Sequence, residues 1–433
     1  MSDLGYLQLM RVDSKQIGYG RMGVYLDQEI RKLGYRVSNS LDDEPAGTVL
    51  HASTPSHLLR YYEGQRLVLL SMWEASTLPE AFREAIHLFD LLIVPSMQNL
   101  ELFSQHHPNV AYVPLGIDPE IWKPTHRTAP GQRFEFLIGG TGARKGPDLA
   151  YKAFRMAFPN GSWGDGPEPW LTFKSPKANP FHGERISQIN GRLSGEDEIA
   201  LYARAHCYLQ PSRGEGFGLQ PLQAIAQASP TILTDAHGHA SFAQYGIPIS
   251  AKLAPTVPGS FFFGEAGDWW EPDVDELADR MRQVYDNYPE ACGNAWESAE
   301  VVSREFTWEQ TAKKVMRLLD PLPPYIGSGR LLRPEMKLFR VVLNRPHAAD
   351  IAGHSYRWEA FQEAYVPADV KRILFDGGYL DPSCIEGDAG LTKAEVEAAG
   401  YVSGAESYCG TCSQRLGTQP TRADDLESEW AAR

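Results

Sequence analysis

The stretch that decides the fold is residues 209–238, LQPSRGEGFGLQPLQAIAQASPTILTDAHG. It opens at the end of an apolar run that predicts a buried strand, and Pro211 with the glycines after it predicts a loop. Pro221 suits the first turn of a helix, where its missing N–H would be unpaired anyway. A second strand is predicted at Thr231–Thr234. Strand, glycine loop, helix and strand form a βαβ unit whose loop lies at the carboxyl edge of the sheet, where open α/β folds bind ligands.

The predicted loop combines bare backbone with one acidic side chain. Gly216 and Gly218 leave N–H groups uncovered before a helix N-terminus, which suits a phosphate or a polarised sugar oxygen. The carboxylate of Glu215 would be unfavourable beside an anion unless it meets hydroxyls or a developing positive charge, which indicates a sugar ring. The alternative interpretation is a solvated turn in which Glu215 has no role.

Residues 212–235, SRGEGFGLQPLQAIAQASPTILTD, resemble the E-x7-E signature of retaining, nucleotide-sugar-dependent glycosyltransferases of the GT-B fold, family 4. In that family the first Glu contacts the donor sugar, the loop amides face the sugar and the diphosphate, and the second Glu holds the ribose. Glu215 matches the first Glu, and Gln223 stands at the second position. A neutral amide can hydrogen-bond ribose hydroxyls but carries no charge.

A second segment, GGTGARKGP at residues 139–147, follows another predicted strand and is similar to the family's strand with an arginine and a Lys-Gly pair. In the family this lysine neutralises the departing diphosphate, and Lys145 matches it. The family's arginine position falls on glycines that include Gly140, so Arg144 or Arg213 is the candidate for the missing charge. The alternative is a surface turn with solvated cations.

The N-terminus predicts a strand at 5–12, a loop at Gly18-Tyr19-Gly20 and a helix from residue 24 onwards. This arrangement resembles the N-terminal glycine loop of the same glycosyltransferases, which meets the donor diphosphate across the cleft. The resemblance implies close backbone approach at Gly20, with charge from Lys15 or Arg21.

The rest of the first half alternates short apolar segments with helical ones, which favours a mostly parallel sheet covered by helices on both faces. Glu74 falls at a strand end beside the expected cleft and is the candidate for acceptor contact. The family often places a His near the reacting sugar carbon. For His51 and for His57, an ordinary surface or core position is the favoured interpretation.

Length and composition limit the classes of protein. A chain of 433 residues is too long for one ordinary core. A net charge of −14 argues against bulk binding to nucleic acid or anionic membrane. No apolar run is long enough for a membrane span and no leader segment is recognised, which predicts a cytoplasmic protein. Five cysteines along this length do not indicate a disulfide framework.

These observations predict an α/β protein with two Rossmann-like lobes (GT-B) and a small β-rich C-terminal module. Cys409 and Cys412, in the tail, have metal-ligand spacing, but two reduced thiols are favoured because a zinc site needs four ligands. The predicted parts are an acceptor-side lobe (1–122), a donor lobe (123–305), a helix crossing back (306–320), a linker (321–335), a β-rich module that recruits a protein partner (336–383) and an acidic tail (384–433).

The function that the resemblance implies is transfer of a sugar from a nucleoside diphosphate sugar to an acceptor hydroxyl with retention, without metal or cofactor. The alternatives are a non-catalytic nucleotide-sugar or glycan-binding protein on the same scaffold and, less favoured, an epimerase or phosphorylase. The sequence leaves the base, the sugar and the acceptor open. The candidate catalytic residues are Glu215, Lys145 and Glu74, and the candidate donor-binding residues are Gly20, Gly140, Arg144, Arg213, Gly216, Phe217, Gly218, Leu219 and Gln223.

Overall fold

The computed structural model describes residues 5–11, 18–55, 60–140, 142–175, 180–256 and 267–332, and beyond them the backbone of five short strands. Lys15, His57, Cys409 and Cys412 lie outside the described residues, as does nearly all of 384–433. Within the described part, no helix combines the length and the apolar character that a membrane crossing requires.

The first lobe is built on a parallel six-stranded sheet. Its elements are β1 (Tyr6–Arg11), α1 (Gly18–Lys32), β2 (Arg36–Ser38), β3 (Thr48–Ala52), β4 (Tyr61–Tyr62), β5 (Arg66–Leu70), α2 (Glu80–Ile86), β6 (Leu91–Val94), α3 (Met97–Ser104) and β7 (Val110–Tyr112). The strand order is β2-β1-β3-β5-β6-β7. Alternate residues of β5 enter different cores, Val68 and Leu70 on the face of α1 and Leu67 and Leu69 on the face of α2 and α3. Both faces are therefore covered, as expected for a parallel sheet.

The second lobe repeats this plan. Its elements are β8 (Arg133–Gly139), α4 (Pro147–Ala157), β9 (Glu168–Ser175), β10 (Ile186–Asn190), α5 (Gly195–Arg204), β11 (Cys207–Gln210), α6 (Leu219–Ala226), β12 (Thr231–Thr234), β13 (Ile247–Ile249), β14 (Ala251–Pro255), β15 (Asp268–Pro272), α7 (Val274–Asp286), α8 (Tyr288–Glu305) and α9 (Trp308–Leu319). The parallel sheet has the order β10-β9-β8-β11-β12-β13, and β14 pairs with β15 as an antiparallel hairpin. The predicted two Rossmann-like lobes are confirmed.

The end of the second lobe returns to the first. Thr307 forms a parallel bridge with Ile117, and Trp308 stacks on Tyr25 of α1 with ring centroids 5.5 Å apart. The α9 helix begins with Thr307 as its N-cap, because the Thr307 side chain accepts a hydrogen bond from the backbone N–H of Gln310. This capping signal separates α8 from α9, and α9 lies within the 306–320 segment for which the sequence predicts a helix crossing back.

The segment predicted as a linker, 321–335, packs on the first lobe as far as the structure describes it. The two-residue strand β16 (Leu331–Leu332) pairs with β4, and a Cβ placed on Gly47 would lie 2.0 Å from the carbonyl oxygen of Pro323. Beyond it lie β17 (Lys337–Val342), β18 (His347–Ile351), β19 (His354–Trp358), β20 (Glu363–Pro367) and β21 (Leu391–Thr392). The described residues of this part of the chain are therefore β-strands.

A further boundary differs from the sequence expectation, and the segment between the lobes is anchored to the second lobe. The helix α1 begins at Gly18, so the predicted Gly18-Tyr19-Gly20 loop is its first turn. The polar stretch between the lobes is also anchored, since the Arg127 guanidinium donates hydrogen bonds to Tyr202 O (2.7 Å) and Gln227 O (2.9 Å) at the ends of α5 and α6. Those carbonyls lack partners within their own helices, so the guanidinium satisfies them.

Candidate functional site

The candidate site is assembled at the carboxyl edge of the second sheet. A short 3₁₀ turn, Ala143–Lys145, follows β8, and the glycine loop between β11 and α6 lies against it. Gly146 ends the turn in the left-handed region with φ of 69°, and a Cβ there would lie 2.0 Å from the carbonyl oxygen of Pro211. Glycine is required at this position on both grounds, because an L side chain would be strained and would clash. The close approach brings the turn and the loop together.

Two cations share one carboxylate at this contact, and we call Arg144, Lys145 and Glu215 the cation cluster. Lys145 Nζ donates a hydrogen bond to Glu215 Oε1, and Arg144 Nη1 lies 3.1 Å from Glu215 Oε2. Arg144 Nη1 also donates to Gly214 O at 2.6 Å. The side chains of Glu215, Lys145 and Arg144 are 8%, 18% and 27% exposed. The cluster is therefore nearly buried and carries a net positive charge.

Electrostatics keep Glu215 ionised. Burial alone would raise the pKa of Glu215, but Lys145 and Arg144 lower it well below its usual range. Burial lowers the pKa of Lys145 despite the neighbouring carboxylate, while Glu215 raises the pKa of Arg144 against its own burial. An ionised acid paired with two cations can hold hydroxyl groups and balance positive charge on a ligand.

A chain of buried hydrogen bonds orients Glu215 from behind. Tyr202 O–H donates to Tyr208 Oη (3.3 Å), which donates to Gln210 Oε1 (2.9 Å). Gln210 Nε2 donates to Ser212 Oγ (2.7 Å), and Ser212 O–H donates to Glu215 Oε1 (3.1 Å). Tyr208, Gln210 and Ser212 each accept one hydrogen bond and donate the next in the same direction, so the chain fixes one arrangement.

The hydrogen-bond chain behind Glu215 is not among the sequence predictions, although the sequence contains a signal for it. Tyr208, Gln210 and Ser212 recur with a period of two at the end of a buried strand, so their side chains share one face of the sheet. Polar groups on the buried face of a strand require partners. The period of two therefore indicates a hydrogen-bonded row beneath the glycine loop.

Two histidines after β12 complete the wall of the site. Ring nitrogen Nε2 of His237 donates to Ser212 O at 2.9 Å. His239 is fully buried, and neither of its ring nitrogens has a hydrogen-bond partner among the described residues. Burial lowers the pKa of His237 to about 4, and burial together with His237 lowers the pKa of His239 well below its usual value. Both imidazoles are thus neutral.

Unpartnered polar atoms gather at the start of α6. Gly218 caps this helix with φ of 109°, and a Cβ there would lie 2.6 Å from His239 Nε2. Gln223 is 5% exposed, and its Oε1 has no hydrogen-bond partner within the part of the chain that the structure describes. Buried polar atoms without partners are uncommon in folded proteins. Here they lie beside a helix N-terminus, where an anionic or hydroxylated ligand would satisfy them.

Arg213 has a different environment from Arg144, and we call Arg213, Asp148 and Glu271 the Arg213 clamp. Its guanidinium donates to both carboxylates, at 2.6 Å from Asp148 Oδ2 and 2.5 Å from Glu271 Oε2, and to Ala143 O at 2.6 Å. Burial would lower the pKa of Arg213, but the two carboxylates raise it above its usual value. Two carboxylates already neutralise this cation, so it joins α4, β15 and the glycine loop rather than facing a ligand.

Gly140 leaves space for the side chain of Lys145. Its φ is 102°, and a Cβ there would lie 2.9 Å from Lys145 Cγ. A Cβ on the preceding Gly139 would lie 2.7 Å from Tyr208 Oη. The place where the family carries an arginine is therefore filled by Lys145 and Tyr208.

The first lobe covers the site with the segment that follows β5. A Cβ on Gly214 would lie 2.0 Å from Glu74 O, and one on Gly216 would lie 2.4 Å from Met72 Cγ. The charge of Glu74 raises the pKa of Arg144 and of Lys145, although less than Glu215 does. The lobes are therefore in contact here, and the first two loop glycines permit it.

The covering segment is itself held by a side chain that sequence reasoning did not assign to the site. Asn99 Oδ1 accepts from Trp73 N (2.5 Å), and Asn99 Nδ2 donates to Trp73 O (2.9 Å). Asn99 is fully buried on α3. It fixes the backbone next to Glu74.

The remaining candidates of the first lobe lie outside the cation cluster. Gly20 is buried within α1, and the neighbouring Arg21 pairs with Glu198 of the second lobe at 2.7 Å. Lys174 also pairs with Glu198, at 3.2 Å. His51 packs edge-on against Phe89, and burial lowers its pKa to about 4. Among the described residues, no group of three or more His, Cys, Asp or Glu side chains is arranged to hold a metal ion.

Comparisons with known proteins agree with this architecture. Residues 96–315, about half of the chain, match the model of a family described as "Family 4 Glycosyltransferase in conflict systems". A 58-residue stretch is 43% identical to "Putative glycosyltransferase 41" of Sulfolobus islandicus filamentous virus. That stretch covers 13% of this chain and only 17% of the viral protein.

Solved GT-B glycosyltransferases share the fold at low sequence identity. Sucrose-phosphate synthase from Thermosynechococcus elongatus superposes with a TM-score of 0.51 at 12% identity, over 72% of this chain and 98% of that one. Anabaena HepE in complex with UDP-glucose gives 0.52 at 13% identity, over 73% and 99%. WaaG, a glycosyltransferase of lipopolysaccharide biosynthesis, gives 0.52 at 14% identity, over 73% and 100%. These likenesses show the two-lobed fold.

Proposed function

The chain belongs to the family 4 glycosyltransferases in conflict systems, and from this premise we propose that it transfers a glycosyl group from a nucleoside diphosphate sugar to an acceptor hydroxyl with retention of configuration. The observation that carries the proposal is the cation cluster beside the N-terminus of α6, at the sheet edge where α/β folds bind ligands. Lys145 and Arg144 provide the positive charge and Glu215 the carboxylate that this reaction needs.

The leaving diphosphate is the first requirement of the reaction. Breaking the bond between the sugar and the phosphate places negative charge on the phosphate oxygens, and fixed donors that meet this charge lower the barrier most. Lys145 and Arg144 are held within reach of each other by Glu215. The backbone amides of Gly216, Phe217, Gly218 and Leu219 at the start of α6 add further donors.

The sugar ring is the second requirement. Glu215 is ionised and oriented by Ser212, so it can accept hydrogen bonds from sugar hydroxyls and balance positive charge on the ring. Lys145 pairs with Glu215, and a bound diphosphate would share this ammonium group with the carboxylate.

The nucleoside is assigned to the polar atoms that lack partners. Gln223 Oε1 can accept a hydrogen bond from a ribose hydroxyl, and the His239 ring nitrogens line the same end of α6. These buried groups support a ligand at this position, because a ribose or phosphate would satisfy them.

The acceptor is assigned to the first lobe. Glu74 faces the cation cluster from the opposite lobe and is the candidate acceptor contact. We propose that donor and acceptor enter when the contacts of Met72 and Glu74 with the loop glycines open. Attack from the face that the diphosphate leaves, with the phosphate taking the acceptor proton, would give retention.

Metal independence and the absence of a resident cofactor remain part of the proposal. Two cations and a helix N-terminus can stabilise a diphosphate as a metal ion does elsewhere. Donor cleavage should therefore continue in the presence of a chelator. A cytoplasmic location and recruitment of a protein partner through 336–383 are also proposed, and photo-crosslinking from positions in β17 to β20 would test the latter.

The test is release of nucleoside diphosphate from a panel of nucleotide sugars by the wild type, Glu215→Ala and Lys145→Ala, with Lys152→Ala as matched control. Lys152 is an exposed lysine of α4. We expect one donor to be cleaved by the wild type and the control, with both site variants strongly impaired. Proton NMR of the product would establish its anomeric configuration. A protein that binds a donor but never releases diphosphate would instead be the non-catalytic binding protein, and a rearranged sugar would indicate an epimerase.

A further inference from the structure

A second cavity lies at the opposite edge of the donor-lobe sheet. Its volume is about 450 Å³, and its lining residues are Asn160, Trp163, Glu168, Trp170, Glu184 and Arg185. Glu168 begins β9 and Arg185 precedes β10, so the cavity opens at the amino ends of these strands. Trp170 precedes Lys174 by roughly 13 Å along the strand, and the cation cluster lies beyond that end. The cavity is separate from the proposed donor site.

Two fixed tryptophans form its aromatic surface. The Arg133 guanidinium lies 4.0 Å from the centroid of the Trp170 ring, and Trp170 Nε1 donates to Glu168 Oε2 at 2.8 Å. The Arg185 guanidinium lies 4.3 Å from the Trp163 centroid. Both rings are half-buried. Each indole is thus held in place while part of its surface stays open.

Arg185 is the unusual residue of the cavity. It is only 4% exposed and adopts a φ of 61°, which is rare for a residue with a side chain. Its Nη2 donates to Phe158 O (2.8 Å) and Asn160 Oδ1 (3.1 Å), whereas Nη1 is buried and has no hydrogen-bond partner among the described residues. Strained backbone clusters at active sites and ligand-binding sites, and a buried donor without a partner requires an explanation.

The loop that carries Trp163 is anchored by side chains of α7. Arg282 Nη1 of α7 donates to Ser162 O at 3.2 Å, and Tyr285 O–H donates to Pro167 O at 2.8 Å. A ligand would therefore meet a formed surface, and little binding energy would be lost to ordering the loop.

The charges of the cavity select the class of ligand. Glu168 and Glu184 disfavour phosphates and nucleic acids. Arg133 and Arg185 already lie against the indole rings, which disfavours a cationic ligand in an aromatic cage. A neutral molecule with both an apolar face and many hydroxyls fits, because the indoles offer apolar surface and the carboxylates, the amide and Nη1 offer hydrogen bonds.

We propose that this cavity binds a neutral saccharide unit of an oligosaccharide, as a carbohydrate subsite remote from the reacting centre. The subsite goes beyond the proposed transferase activity and does not depend on it. It would hold a glycan on the donor lobe while chemistry takes place at the opposite sheet edge.

Isothermal titration of the full-length protein, without any nucleotide sugar, tests the subsite. The probes are maltohexaose, cellohexaose and chitohexaose. We expect at least one to bind and both Trp163→Ala and Trp170→Ala to weaken it about tenfold or more, the effect of losing an aromatic contact. Trp296→Ala, at a tryptophan of α8 that stacks on His126, is the matched control and should bind as the wild type does.

The outcomes separate the subsite from the transferase proposal. Glu184→Gln, at an exposed side chain, keeps the test decisive if a tryptophan variant does not fold, and we expect it to weaken the same probe. Donor cleavage should be unchanged in all of these variants. Absence of binding by all three oligosaccharides, binding that the cavity variants do not alter, or binding of a trimethyl-lysine peptide in their place would overturn the proposal.

Discussion

The cation cluster and the Arg213 clamp are neighbouring groups of charged residues in the second lobe, and each includes a side chain of the glycine loop, but their charges balance differently. In the cluster, Arg144 and Lys145 share the single carboxylate of Glu215. In the clamp, Arg213 lies between Asp148 and Glu271. The two cations of the cluster outnumber its one carboxylate, with Glu74 of the first lobe as a weaker neighbour, whereas the single cation of the clamp contacts two carboxylates. Adjacent cations can thus be assigned to binding or to support by counting the carboxylates they contact.

Lys145→Ala should give the largest effect if this distinction is correct. Removing one donor to the leaving diphosphate should reduce donor cleavage by about 100- to 1,000-fold, or about 3–4 kcal/mol. The measurement is kcat for release of nucleoside diphosphate, with Lys152→Ala as control. A variant that retains most of the wild-type rate would place the diphosphate elsewhere.

Low pH should reduce the free energy of unfolding through His237, a buried histidine in the wall of the candidate site. Its pKa is lowered to about 4 by burial, whereas an unfolded histidine titrates near 6.5. The unfolded chain therefore takes up a proton that the folded chain does not, and stability is lost as the pH falls from about 6.5 to about 4. The full loss is about 3 kcal/mol.

The free energy of unfolding of His237→Gln, measured across this pH range, checks the effect. The glutamine does not titrate, so its curve should be flatter than that of the wild type, whatever constant cost the substitution has. His51→Gln in the first lobe should flatten the curve similarly, because burial lowers the pKa of His51 to about 4 as well. Parallel curves for wild type and both variants would contradict the assignment.

Arg213→Lys tests the difference between the cation cluster and the Arg213 clamp. The sequence alone predicts that Arg213 binds the donor, whereas the structure pairs it with two carboxylates. A lysine cannot bridge two carboxylates with paired hydrogen bonds. Asp148 and Glu271 are 44% and 41% exposed, so solvent screening reduces the expected destabilisation to about 2 kcal/mol. Thermal unfolding measures it. A fall in donor affinity as large as that of Lys145→Ala, without loss of stability, would return Arg213 to the donor site.

Ser212→Ala should have the smallest effect of the series. It removes the hydrogen bond that orients Glu215, which should cost about 1 kcal/mol and reduce kcat by about fivefold. Ser229→Ala is the matched control, since the Ser229 hydroxyl is buried and has no partner within the described residues. Equal effects of the two substitutions on kcat would mean that Ser212 does not orient Glu215.

Much of the fold follows from local patterns in the sequence. Helical spacing, strand runs and glycine loops predict two parallel sheets with helices on both faces, and both sheets are present. The first turn of α1 was predicted as a loop because glycine disfavours helix. Close packing requires a glycine later in the same helix, since a Cβ on Gly23 would lie 2.6 Å from Arg11 Cβ of β1.

Long-range partners could not be predicted in the same way. Arg213 and Glu271 lie 58 residues apart, and only the pairing of β14 with β15 brings them together. The proline-rich segment after residue 320 has the same composition whether it is a linker or packs on the first lobe. The close backbone contact between Gly47 and Pro323 distinguishes packing on the first lobe from a free linker. No local sequence pattern indicates this contact. The polar row under the glycine loop, in contrast, can be predicted from the sequence, because Tyr208, Gln210 and Ser212 recur with a period of two.

Binding of nucleoside diphosphates tests the central claim most directly. Calorimetric titration of the wild type, Lys145→Ala and Arg213→Lys with a panel of these compounds separates the cluster from the clamp. We predict that Lys145→Ala binds the preferred diphosphate about 50-fold or more weakly, while folded Arg213→Lys stays within about threefold of the wild type. Equal affinity of Lys145→Ala and the wild type would contradict the account.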